Sequence, residues 1–149
     1  MKVVLEYGAF TDVPRIQVAT QILRQAAQDN QGILVDTLHW FRSGGTREDL
    51  LSLPRNWVSY AQLCDASLNG PNIENRAAVR QEAIDFRLCP GDGSLPLVDM
   101  LAGLPAGIPL SLEIRSLALR TAYSDLAERA RVVLDRTHSW FDSLKISPD

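Results

Sequence analysis

Four short apolar runs, each with a polar residue at or next to its carboxyl end and separated by helix-patterned stretches, limit the folds open to this chain. The runs are Val3-Val4-Leu5-Glu6-Tyr7, Gly32-Ile33-Leu34-Val35-Asp36, Trp57-Val58-Ser59-Tyr60-Ala61-Gln62-Leu63-Cys64-Asp65 and Ile108-Pro109-Leu110-Ser111-Leu112-Glu113-Ile114. Strands that are apolar with little alternation are buried on both faces, as in a parallel sheet covered by helices. Between the first two, Ile16, Ala19, Leu23 and Ala26 fall at helical spacing over 14–28, with Pro14 in a first-turn position. Thr46 and Asp49 have the spacing of a reciprocal helix cap after the Arg42-Ser43-Gly44-Gly45 loop. Helices are further predicted over 74–84, 96–104 and 124–144, the last with Leu126, Ala130, Val133, Thr137, Phe141 and Leu144 on one stripe. Pro90-Gly91-Asp92-Gly93 is a turn. Alternating strands and helices make parallel βα units, leaving an open doubly wound sheet or part of a barrel.

The bulk properties narrow the function. The chain has 149 residues, enough for a single domain over 1–149, and a net charge of −3. An acidic protein lacks the basic face that phosphate backbones require, so no nucleic-acid partner is expected. No apolar run reaches membrane-spanning length, and no signal peptide is apparent. Cys64 and Cys89 are read as reduced thiols of a cytoplasmic protein.

The strand ends carry the chemistry. Glu6, Asp36, Gln62 with Asp65, and Glu113 close the four runs. In α/β folds the carboxyl ends of the strands face the ligand. One acidic residue there is ordinarily a helix cap, but all four strands show a polar end. Three carboxylates and an amide oxygen converging at one mouth would suit Mg²⁺ or Mn²⁺ better than Zn²⁺. Trp40 and Trp57 are read as packing residues, and His138, in the last helix, receives no role.

Several segments resemble, in order, the xylose-isomerase-like sugar phosphate isomerase/epimerase family. Leu5-Glu6-Tyr7 is similar to its fifth-strand segment. Asp36-Thr37-Leu38-His39, followed by Arg42-Ser43-Gly44-Gly45, is similar to its Asp-Thr-x-His segment. Gln62-Leu63-Cys64-Asp65 resembles its seventh-strand His-x-x-Asp, Arg87-Leu88-Cys89-Pro90-Gly91-Asp92-Gly93 the loop after it, and Leu112-Glu113-Ile114 its eighth strand. The resemblance implies half of a (β/α)8 TIM barrel, its four parallel βα units corresponding to strands 5–8. It implies a divalent metal held by Glu6, Asp36, Gln62 and Glu113, with Gln62 standing where the family has histidine. It implies isomerisation or epimerisation of a sugar or polyol through an enediolate, with Glu6 and Glu113 exchanging the proton. His39, Arg42, Asp65 and Arg87 are the expected substrate contacts.

A full barrel needs eight strands and about 250 residues. The expected remedy is a homodimer of half-barrels or a separate N-terminal half-barrel partner. The competing reading is a catalytically inactive remnant or partner subunit, favoured by Gln62 and the absent half. The family's endonuclease branch, with its histidine-rich zinc site and basic groove, is disfavoured by two histidines and an acidic pI. A nucleotide-binding open sheet is disfavoured because no glycine-rich loop follows the first strand.

Overall fold

A computed structural model describes residues 1–144. Its strands are β1 (Val3–Glu6), β2 (Gln31–Asp36), β3 (Val58–Leu63) and β4 (Leu110–Leu112). They form one sheet in the order β1-β2-β3-β4, every pair parallel. An open doubly wound sheet reverses its strand order at a switch point. This order runs in one direction without reversal, as in a barrel segment. The outermost strands, β1 and β4, each have one neighbour, so each leaves one backbone edge unpaired within the sheet.

The helices are α1 (Ile16–Ala26), α2 (Thr37–Arg42), α3 (Arg47–Leu51), α4 (Arg76–Asp85), α5 (Leu97–Gly103), α6 (Leu117–Ala122) and α7 (Leu126–Leu144), with a 3-10 turn at Arg55–Trp57 before β3. The Thr46/Asp49 capping box forms as its spacing predicts. The main core packs Ile33, Val35, Val58 and Ala61 of the sheet against Ile16, Ala19 and Leu23 of α1, Leu50 of α3 and Met100 of α5. A second cluster joins Leu63, Cys64 and Leu38 to Ala83 and Leu97.

The structure departs from the sequence reading at four elements. The fourth strand is three residues long rather than seven: Pro109 donates no hydrogen bond, and after Leu112 the chain turns towards α6. Helix α2 begins at Thr37, directly after β2, and takes in Arg42, the residue read as the start of the loop. Asp36 caps it, accepting from the His39 backbone N–H at 2.9 Å. Helix α6, capped by Ser116, was not anticipated. The stripe predicted on α7 is only partly covered: Thr137 is buried, but Leu126 and Leu144 are 71% and 41% exposed. No helix among the described residues is long and apolar enough to cross a membrane.

Candidate active site

Parallel pairing carries the polar strand ends to one end of the sheet. Glu6 and Asp36 end β1 and β2, and Asp36 stands opposite Gln62 of β3 in register. Directly opposed residues leave the same face of a sheet. Glu113 follows β4, its N–H reaching the Leu63 carbonyl at 3.2 Å. Glu6, Asp36 and Glu113 each offer an oxygen, all within 4.8 Å of one another. Beside them opens a cleft of about 250 Å³, lined by Glu6, Phe10, His39, Arg87, Glu113 and Arg115 among others.

One buried cation already faces the carboxylates. Arg87 donates from Nη1 to Asp36 at 2.5 Å and to the Cys64 thiol at 3.2 Å, and from Nε to the Ala83 carbonyl at 3.0 Å. Its Nη2 lies 3.7 Å from Glu113 Oε2, too far for a hydrogen bond. Burial works against the Arg87 charge, but Asp36, Cys64 and Glu113 outweigh it and its pKa rises. Glu6 titrates above the ordinary carboxyl range, first through desolvation and then through Asp36 and Glu113. Glu113 is also raised, by desolvation first, with Arg87 opposing. Burial lowers the His39 pKa, which favours a neutral imidazole, and its ring stands edge-on to Phe10 at 5.3 Å. Burial pushes the Cys64 thiol up to about 12, so it stays protonated.

The donor set fits a divalent cation. Three carboxylates against one arginine leave two negative charges. Gln62 Oε1 and Glu113 Oε2 are buried and make no hydrogen bond among the described residues. Buried polar atoms are nearly always paired, so these two lack the partner that a cation would supply.

Of the residues expected to touch substrate, the structure keeps His39 and Arg87 at the cleft and gives two others different work. Arg42 is a correction. It grips Glu82 through two hydrogen bonds, 2.8 Å from Nε and 2.6 Å from Nη2, and also donates to the Ser67 and Leu68 carbonyls. Its guanidinium is used up away from the cleft, and it presses so closely on Gly70 that a Cβ there would collide with it. Asp65 is the second correction. Its carboxylate accepts four backbone N–H groups, from Ala66, Gly91, Gly93 and Leu95, at 2.8–3.1 Å. It holds the Gly91-Asp92-Gly93 loop and has no lone pair directed to a ligand. Sequence reasoning missed Arg115, Phe10 and Cys64. Only Arg115, two residues past the strand-end glutamate, carried a readable signal.

No family model matches the chain. A 3-dehydroshikimate dehydratase of Pseudomonas aeruginosa is 30% identical over 107 residues, 70% of this chain but 16% of that protein. A xylose isomerase domain protein from Alicyclobacillus acidocaldarius superposes with a TM-score of 0.68 at 28% identity, over 94% of this chain and 50% of that one. The IolI protein, crystallised with a zinc atom, superposes at 0.73 with 18% identity over the same shares and shows the fold alone. The chain therefore spans about half the length of these barrels and a small part of the dehydratase.

Proposed function

We propose, for a chain that is one half of a xylose isomerase-like TIM barrel, that it carries the metal-holding and proton-transferring half of an enzyme acting beside a carbonyl group. The substrate class is a small sugar-like or polyol molecule, and the reaction an isomerisation or epimerisation. The convergence of Glu6, Asp36 and Glu113 within 4.8 Å carries this reading. Glu6, Asp36, Gln62 and Glu113 would hold a divalent metal, Mn²⁺ or Mg²⁺ by their all-oxygen chemistry. When bound, such an ion polarises carbonyl and hydroxyl oxygens.

The chain's own residues supply the rest. One of Glu6 and Glu113, ionised, takes the proton from the carbon next to the carbonyl, and the other returns a proton. Their raised pKa values make them stronger bases than free carboxylates. Arg87, fixed by Asp36, Cys64 and Ala83, makes no hydrogen bond from Nη2 among the described residues, which leaves that nitrogen to a substrate oxygen. Neutral His39 serves as a hydroxyl partner. Removal of the same proton also begins a dehydration, the reaction in the name of the Pseudomonas relative. The unpaired edges of β1 and β4 would be closed by a second half-barrel, a second copy or an N-terminal partner. Two free thiols suit a cytoplasmic setting.

The alternative is a half-barrel without turnover, and Gln62 in the place of histidine favours it. Calorimetric titration with Mn²⁺ separates the two. Binding that disappears in Asp36→Asn and Glu113→Gln is the expected result; no binding to the wild-type chain leaves the inactive reading.

A further inference from the structure

We propose that Arg87 is an internal counter-ion that shares Asp36 with the metal, holding the metal-free cluster together and weakening metal binding. This deepens the function proposed above and rests on its metal site. Glu6, Asp36 and Glu113 can each offer an oxygen to one cation, and Asp36 is the buried member. Both of its oxygens are already engaged. Oδ1 accepts the His39 backbone N–H at 2.9 Å, and Oδ2 accepts Arg87 Nη1 at 2.5 Å. A carboxylate has about four lone-pair positions. Asp36 can therefore still ligate, but only from an oxygen that already has a donor on it.

Arg87 is held in place by groups other than the carboxylates. Its Nη1 also donates to Cys64 Sγ at 3.2 Å, its Nε to the Ala83 carbonyl at 3.0 Å, and its backbone N–H to the Arg115 carbonyl at 3.1 Å. Ala83 lies in the last turn of α4, where carbonyls lack donors within the helix and the helix dipole favours a cation. None of these three partners is a candidate metal ligand, so loading the site does not release Arg87.

Charge sets the direction of the effect. Without metal, Arg87 answers one of three carboxylates, and the buried Asp36 keeps a partner. With metal, a guanidinium and a divalent cation stand on the same carboxylate. Their repulsion is poorly screened away from water. The ion is then held less tightly than three carboxylates alone would hold it, and it exchanges. Arg42 supplies the control, because it makes the same kind of buried pair with Glu82, outside the carboxylate cluster.

The test is calorimetric titration of the intact chain with Mn²⁺ in wild type, Arg87→Met, Arg87→Lys and Arg42→Met. R87M should bind Mn²⁺ about tenfold more tightly than wild type, on the scale of changes beside a metal ligand. R87K keeps the positive charge and should gain much less, and R42M should not gain. Saturating Mn²⁺ should also raise the unfolding temperature of R87M more than that of wild type. Mn²⁺ binding to R87M but not to wild type would support the proposal in its strongest form. An R87M affinity equal to or below that of wild type would overturn it and leave the metal reading standing. A gain as large in R87K or R42M would overturn it too, because lost packing rather than lost charge would be the cause. No binding to any of the four proteins would sink both readings. If R87M does not fold alone, circular dichroism is recorded as Mn²⁺ is added. Recovery of the wild-type spectrum supports the exchange of one cation for the other, and no recovery overturns it.

Discussion

Two buried arginines in this half-barrel each grip a buried carboxylate, and their surroundings differ. Arg42 meets Glu82 at 2.6 Å, with two hydrogen bonds to its carboxylate and two more to backbone carbonyls, so each charge faces its opposite. Arg87 meets Asp36 at 2.5 Å, but around it stand a second carboxylate at 3.7 Å, an unpaired amide oxygen and an open cleft. The first pair is a closed account of charge that holds the segment after β3 against α2. The second is incomplete, and an incomplete buried polar cluster is costly unless something binds there. The chemistry is the same; the difference is the neighbours left without partners.

The largest effects should separate the pairs by function while treating them alike in stability. Removing one partner of a buried pair leaves the other charged and unpaired, at a cost of about 3–5 kcal/mol. Glu82→Ala and Asp36→Ala should both fall in that range by denaturant unfolding. Only Asp36→Ala should abolish Mn²⁺ binding in calorimetry. If Glu82→Ala abolished it as well, the two pairs would not be functionally distinct. Replacing both members of the outer pair, Arg42→Met with Glu82→Leu, should return stability to within about 1–2 kcal/mol of wild type, because an apolar isostere of a closed pair is often neutral. A double variant as unstable as the single one would mean that the Ser67 and Leu68 contacts, not the ion pair, carry the energy.

Asp65 tests a third kind of buried carboxylate, one satisfied entirely by backbone. Asp65→Asn offers one acceptor oxygen to four N–H groups and should cost about 2–4 kcal/mol, since hydrogen bonds to a charged group contribute more than neutral ones. Gly93 should be as intolerant, because a Cβ there would strike the Asp65 carboxylate. An Asp65→Asn chain as stable as wild type would return Asp65 to the candidate ligand contacts.

These differences explain what could be read before the fold was known. Strand positions follow from apolar runs, a local property. The convergence of Glu6, Asp36 and Glu113 follows from parallel order, which the strand–helix alternation implies. What the sequence hides is the choice of partner. Arg42 and Arg87 look equivalent in the chain, each in a loop-like segment near a motif. Their fates depend on Glu82 and Asp36, 40 and 51 residues distant. Asp65 likewise reads as a ligand or a cap until the loop from Gly91 folds over it. The short β4 was obscured because Ile108 and Ile114 extend its apolar run although neither lies within the strand.

Gln62→His sharpens the metal side of the comparison with a smaller effect. Imidazole favours Zn²⁺ over the hard cations that suit an oxygen donor. The substitution should shift the ratio of Zn²⁺ to Mn²⁺ affinity about tenfold towards zinc, on the scale of changes around a metal site. An unchanged ratio would place Gln62 outside the donor set.

The smallest effect concerns pH. Glu6 and Glu113 have carboxyl pKa values raised above the ordinary range by desolvation and neighbouring charge. A raised carboxyl pKa means the folded chain holds a proton more tightly than the unfolded one. The associated stability is present below the ordinary carboxyl pKa and is lost as pH rises through the folded value. Metal-free wild type should therefore lose stability over that window, and Glu6→Gln should lose less. Glu6 is largely exposed, so solvent screening keeps the difference at neutral pH below about 1 kcal/mol. Protons compete with the cation at the same carboxylates, so Mn²⁺ affinity should climb over the same window. The cation reverses the variant's advantage: Glu6→Gln, slightly more stable without metal, should be the less stable protein at saturating Mn²⁺. Glu82 lies outside this cluster, and Glu82→Gln should show no such crossing. A crossing seen with both variants, or with neither, would remove the distinction between the closed pair and the open one.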